Sequence, residues 1–179
     1  LNSLCGINLA AHALTLRDFK FEYGYGAPDD PETLQKLNQT AELGALLRKL
    51  HSARMGVVGE HPPGMDSCHL DQDQLSDVFG IHVEQINLPS VFARARSIKT
   101  SQIKPVREGL EEKLDNLGTL NQEALNNTLR VYLALHELAD ELDLDGLAVR
   151  CWPEFFTEMG CAACGAMSML SDGFSGEAL

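Results

Sequence analysis

The spacing of apolar residues changes repeatedly between a helical and an extended period along the chain. Helical spacing occurs over residues 3–16, 30–53, 71–79, 89–98, 103–117, 121–145 and 155–170. Alternating or short continuous apolar runs, which are typical of strands, occupy residues 19–25, 55–59, 81–86 and 147–152. Strands that alternate with long helices favour a parallel sheet covered on both faces. We therefore predict a three-layer α/β/α fold with a mainly parallel, Rossmann-like sheet, in which the last three strands are parallel.

The first predicted strand depends on aromatic residues that alternate with charged residues or glycine over residues 19–25. We expect this strand to end before Asp30, where a helix begins. Aspartate is a favoured N-cap residue, and Pro31 suits the first helical position.

Two loops are predicted at the carboxyl edge of the sheet, where ligands of parallel sheets bind. The first, residues 59–66, contains two prolines and two glycines, which fix an unusual backbone path. Met65 in this loop can present a soft apolar contact to a sugar face. A rigid turn without a ligand would have the same composition, so both interpretations stay open. No glycine-rich nucleotide motif is present in the loop.

The second loop follows residue 152 and places a carboxylate where the next helix begins. Pro153 ends the strand, so Glu154 lies at the mouth of the sheet. A carboxylate there is available as a metal ligand or a proton-transfer group. The alternative is that Glu154 only complements the dipole of the helix that it starts. Trp152 also has two interpretations, a core residue or a platform for a sugar.

Composition and charge restrict the possible partners. Hydrophobic residues make up 44% and charged residues 22% of the 179 residues, as in an ordinary globular protein. The formal net charge of −12 disfavours nucleic acid and anionic membrane surfaces, since phosphate binding needs a basic face. No apolar run approaches the roughly 20 residues of a membrane span. We expect no nucleic-acid partner and no membrane contact.

The 5 cysteines lack the spacing of a disulfide framework, which indicates reduced thiols and a cytoplasmic setting. Cys161 and Cys164 have the spacing of a redox pair, so a thiol redox protein is one alternative function. The pair lies well inside the predicted last helix, among small residues that let a helix approach a sheet closely. We therefore expect Cys161 and Cys164 to be reduced and buried against the sheet.

Several segments resemble one known family. Residues 149–154, which read Val-Arg-Cys-Trp-Pro-Glu, are similar to the L-fucose isomerase-like branch of the fucose/arabinose isomerases, as are residues 160–164 and 168–173. Residues 3–12 resemble the helix that enters the middle domain of that family, and residues 59–65 also fit its pattern.

This resemblance implies a cytoplasmic, homo-oligomeric enzyme that interconverts an aldose and a ketose through an enediol, usually with Mn²⁺. It implies that Glu154 is both a catalytic group and a metal ligand, and we expect its carboxylate to face open space without a Lys or Arg partner. The second carboxylate and the metal-binding histidine of the family have no counterpart in the sequence. Met65, Arg150 and Trp152 are the residues that we expect to contact the sugar substrate.

The resemblance also implies a domain organisation. Residues 1–17 are expected to form the entry helix from a preceding domain. Residues 18–179 are expected to be the central α/β domain of a larger isomerase, truncated before its C-terminal domain. The isolated chain is expected to be inactive, because a hard cation needs several oxygen or nitrogen ligands. The alternative function is a stand-alone ligand-binding α/β module without catalysis.

Overall fold

The computed structural model describes residues 3–173. Its helices are α1 (Ser3–Thr15), α2 (Pro31–Ser52), α3 (Gln72–Phe79), α4 (Leu88–Ser97), α5 (Thr100–Glu111), α6 (Gln122–Glu141), α7 (Glu154–Glu158) and α8 (Ala163–Ser171). Its strands are β1 (Arg54–Val58), β2 (His82–Ile86) and β3 (Gly146–Val149). Within residues 3–173, no helix combines the length and hydropathy that a membrane span needs.

The chain divides into two compact units, Leu1–Arg48 and Lys49–Leu179. The predicted division into an entry helix, residues 1–17, and a central domain, residues 18–179, stays a prediction. Both predicted parts include terminal residues outside the described range.

In the first unit, residues 19–25 form no strand, so the prediction of a strand there is wrong. The four aromatic side chains of this segment are exposed. No described residue of this unit belongs to a strand that could accept its backbone hydrogen bonds. An alternating sequence pattern is therefore not enough to form a strand where no neighbouring strand can pair with it.

The helix start predicted at residue 30 is confirmed. The backbone N–H of Thr33 donates a hydrogen bond of 2.9 Å to Oδ2 of Asp30, as an N-cap requires. Hydrogen bonds from Thr33 lower the pKa of the Asp30 carboxyl. Asp30 is thus held in its charged form at the positive end of α2.

The second unit is built on a three-stranded parallel sheet with the strand order β2-β1-β3. Val58, the last residue of β1, lies opposite Ile86 of β2 and Val149 of β3. The three strands therefore end at the same level. The last three predicted strands, their parallel direction and the α/β/α class are confirmed.

The helix α6 lies at the centre of the helical packing in the second unit. It contacts α4, α5 and α8, and its residues Leu129, Tyr132 and Leu135 are almost completely buried. Asn121 caps this helix by accepting two backbone hydrogen bonds of 3.0 Å. The same burial raises the pKa of the Tyr132 hydroxyl.

The single helix predicted over residues 155–170 is interrupted, and α7 and α8 take its place. Gly160, with a φ of +62°, turns the chain between them. Cys161 is buried in this interruption, and Cys164 is exposed in the first turn of α8. Both are free thiols, as predicted. The predicted burial of Cys164 is wrong, since this residue is exposed on the shorter helix that begins after the interruption.

Candidate functional site

The carboxyl edge of the sheet fixes the starting points of both predicted loops. The backbone N–H of Gly59 donates to the Ile86 carbonyl, and that of Arg150 donates to the Val58 carbonyl, each over 2.9 Å. The hydrogen-bond ladder thus extends one residue past β1 and β3. The loops that follow begin from a rigid backbone at the edge where ligands of parallel sheets bind.

A cleft of about 540 Å³ opens at this edge. Gly59 and Asn87, which follow β1 and β2, form part of its lining. Four charged residues also line it, namely Glu60, Arg150, Glu154 and Glu158. The volume lies within the range of about 300–1,000 Å³ that is usual for small-molecule sites. Three of the charged residues are acids, so the cleft favours uncharged or cationic groups over anions.

Glu154, the first residue of α7, has a side chain that is 27% exposed. Its Oε1 accepts a hydrogen bond from Nη2 of Arg150. Its Oε2 is buried and has no hydrogen-bond partner in the structure. A buried acceptor without a partner costs about 1–3 kcal/mol, and a hydrogen-bond donor on a bound ligand would offset that cost.

The prediction of where Glu154 lies is confirmed, whereas the prediction of what surrounds its carboxylate is wrong. Its position at the carboxyl edge, on the same side as Gly59, is confirmed because both residues line the cleft. The expectation of a carboxylate that faces open space without a cationic partner is wrong, because Arg150 pairs with it. The spacing in sequence did not indicate this pair, since Arg150 and Glu154 do not share a helix.

Packing of Phe155 fixes the position of α7. Its side chain is fully buried, and its ring meets that of Phe92 edge to face, with centroids 4.9 Å apart and an interplanar angle of 88°. Phe92 itself lines the cleft. Hydrophobic packing one residue away therefore determines where the Glu154 carboxylate lies.

The other residues predicted to contact a sugar do not all lie at the cleft. Arg150 lines the cleft beside Glu154. Met65 and Trp152 are 46% and 54% exposed and are not among the residues that line it. The Trp152 ring lies against that of Phe156, with centroids 5.4 Å apart. The roles predicted for Met65, Arg150, Trp152 and Glu154 stay predictions.

A third loop, which the sequence did not lead us to predict as part of the site, also begins at this edge. Asn87 follows β2 and lines the cleft, together with Phe92 of α4. The signal was present, because the rule for parallel sheets applies to the end of the predicted strand at Ile86 as it does to Val58. Glu158 had no comparable signal, since its position depends on how α7 packs.

The described residues do not fit a bound manganese ion by themselves. Within residues 3–173, no group of three His, Cys, Asp or Glu side chains is close enough together to hold a metal ion. Glu154 has one oxygen left, because Arg150 occupies the other. Manganese would need its remaining ligands from outside this part of the chain.

The two cysteines do not have the properties of a redox pair. Burial raises the pKa of the Cys161 thiol, although a hydrogen bond with Thr128 opposes the shift. A reactive cysteine needs a lowered pKa and partial exposure. No disulfide joins Cys161 to Cys164. The structure therefore favours the packing role over the redox alternative.

Comparison with known proteins found no matching family model. The chain is 33% identical over 174 residues to a sulfoquinovose isomerase of Alkalicoccus urumqiensis. It is 30% identical over 173 residues to one of Clostridium sp. (strain MSTE9) and 27% identical over 174 residues to one of Priestia aryabhattai. Each match covers 96% of this chain but only 38% or 39% of the relative. The chain is thus similar, over nearly its whole length, to less than half of several proteins named as isomerases of one sugar.

Proposed function

We propose that this chain is the central part of an enzyme that interconverts an aldose and a ketose, with Glu154 moving the proton. The observation that carries this proposal is that Glu154 lines a cleft of small-molecule size and that one of its carboxylate oxygens, the buried Oε2, has no hydrogen-bond partner. The similarity to sulfoquinovose isomerases over 96% of the chain supports the same class of reaction. The finer assignment to the L-fucose/L-arabinose type rests on the resemblance of residues 149–154.

In the proposed reaction, Glu154 takes the proton from C2 of the open-chain aldose. The electron pair of the broken C2–H bond forms a double bond between C1 and C2, and the carbonyl oxygen on C1 gains a proton, which gives an enediol. A proton then returns to C1, while the hydroxyl on C2 loses its proton and becomes the carbonyl of the ketose. Over the whole reaction, one proton passes from C2 to C1 through Glu154 and one passes from the oxygen on C2 to the oxygen on C1, so the sugar as a whole is neither oxidised nor reduced. A positioned acid–base group contributes about 10²- to 10⁴-fold to such a transfer.

We propose sulfoquinovose as the first substrate to test, because the relatives have that name. This sugar has an anionic sulfonate group. Arg150 already pairs with Glu154, and Glu60 and Glu158 line the same cleft. We infer that the sulfonate binds outside the cleft, which then holds the uncharged carbons between which the proton moves. Exposed Met65 and Trp152 stay candidates for contacts with the rest of the sugar.

Two further parts of the proposal rest on the family resemblance. One is that Mn²⁺ binds in the complete enzyme, with Glu154 as the single ligand from this chain and the others from outside residues 3–173. The metal would polarise the sugar oxygens next to the reacting carbons. The other is that the complete enzyme is a homo-oligomer.

The test uses the complete polypeptide that contains this chain. Proton NMR should show conversion of sulfoquinovose, L-fucose or L-arabinose to the corresponding ketose, with deuterium from D₂O entering at the reacting carbon. Glu154→Gln removes the charge but little volume, so turnover should fall by at least about a hundredfold with unchanged circular dichroism.

Glu141→Gln is the matched control, because Glu141 also pairs with an arginine, Arg94, but is not among the residues that line the cleft. It should leave turnover within about twofold of wild type, because an exposed ion pair contributes only about 0–1 kcal/mol to stability and Glu141 does not line the cleft. Near-normal turnover of Glu154→Gln would refute its role. Sugar binding without conversion by the wild type would favour the ligand-binding module instead.

A further inference from the structure

We propose that Arg150 is a positioning residue for Glu154, and that Gly59 provides the space in which Arg150 can act. This inference rests on the proposed function of Glu154. It differs from the role that the sequence predicted for Arg150, which is direct contact with the sugar. In this arrangement, Arg150 holds one oxygen of the carboxylate and thereby fixes the orientation of the other.

Three interactions fix Arg150 before any sugar binds. Its backbone N–H donates to the Val58 carbonyl over 2.9 Å. Its Nε donates to the carbonyl of Trp152 over 3.2 Å, and its Nη2 donates to Oε1 of Glu154. Arg150 therefore links the end of β1, through its backbone, to the start of α7, through its guanidinium. Its side chain is only 18% exposed, which limits its access to a sugar.

The two oxygens of Glu154 have opposite environments as a result. Oε1 is held by Arg150, while Oε2 is buried and has no hydrogen-bond partner. A carboxylate without the Arg150 contact could rotate and exchange its oxygens. With the contact, the orientation of the free oxygen is set in advance, which is what proton transfer requires of its acid–base group.

A side chain at Gly59 would crowd Arg150. A Cβ atom added to Gly59 would lie 3.2 Å from Cβ and 3.3 Å from Cδ of Arg150, and the φ of Gly59 is +77°. The Gly59 backbone cannot easily move away, because its N–H donates to the Ile86 carbonyl. Only glycine therefore gives both the left-handed backbone and the space beside Arg150.

The first test is a double-mutant cycle in the complete polypeptide, with sulfoquinovose as substrate. Arg150→Gln should lower kcat by about ten- to a hundredfold and leave KM within about twofold of wild type. Because Arg150 acts through Glu154, adding Arg150→Gln to Glu154→Gln should lower kcat by no more than about twofold further. Arg150→Lys restores a donor and should recover kcat to within about tenfold of wild type.

Gly59→Ala tests the same inference without changing a charge. It should lower kcat by about tenfold in the wild type but have little further effect in the Arg150→Gln background. Gly160→Ala is the matched control. Gly160 also has a positive φ, of +62°, but its nearest neighbour to an added Cβ is Asn127 at 3.9 Å. It should cause similar backbone strain with kcat unchanged.

Several results would overturn the inference while leaving the proposed function intact. These are a tenfold rise in KM for Arg150→Gln at unchanged kcat, wild-type activity of Arg150→Gln, or independent effects that multiply in the double variant. If Arg150→Gln does not fold, the Gly59→Ala variant decides, and a normal kcat of that variant would contradict the positioning role. An inactive wild type or an active Glu154→Gln would instead overturn the proposed function together with this inference.

Discussion

Replacing Phe155 by Ala should destabilise the second unit far more than the same change at its neighbour, Phe156. Phe155 is 0% exposed and packs edge to face on Phe92, whereas Phe156 is 48% exposed. Removal of a fully buried Phe side chain costs about 3–5 kcal/mol. Full burial of a large apolar side chain contributes about 1.5–3 kcal/mol. Because roughly half of the Phe156 surface is buried, its removal should cost about 1 kcal/mol.

Urea denaturation of the 179-residue chain, followed by far-ultraviolet circular dichroism, measures both losses. With a slope of about 2 kcal/mol per molar urea, the midpoint of Phe155→Ala should fall by roughly 1.5–2.5 M and that of Phe156→Ala by about 0.5 M. Circular dichroism is the right probe, because Trp152 lies against Phe156 and its fluorescence would respond to that change directly. Free energies of unfolding that agree within about 0.5 kcal/mol would show that Phe155 does not anchor α7.

The remaining predictions concern thiols and metal. In native protein, maleimide should modify exposed Cys5, Cys68 and Cys164 before buried Cys161. The raised pKa of Cys161 leaves less of the reactive thiolate at neutral pH. Equal rates of modification for Cys161 and Cys164, measured by peptide mass spectrometry, would contradict the described packing. Dialysis of the complete polypeptide against EDTA should abolish aldose–ketose conversion and Mn²⁺ should restore it. Full activity after dialysis, with metal content checked by elemental analysis, would exclude the proposed manganese requirement.

Local chemistry along the sequence determined most of the elements. Asp30 and Pro31 begin a helix wherever the chain places them, because the cap bonds only the helix's own first turn. Apolar runs separated by helices likewise imply parallel strands, since such strands must be joined by crossovers. The same rule predicted that Gly59 and Glu154 would meet at one edge of the sheet. These features depend on neighbours in sequence or on strand direction, which the pattern contains.

Tertiary structure decided the features that depend on a distant partner. Residues 19–25 have the pattern of a strand, but a strand exists only where another one accepts its hydrogen bonds. Gly160 breaks the last helix, which leaves Cys161 buried and Cys164 exposed. The pairing of Arg150 with Glu154 depends on the path of the chain between β3 and α7, and no periodicity describes that path. The sequence therefore placed a carboxylate at the cleft, whereas the fold determined which of its oxygens is left without a partner.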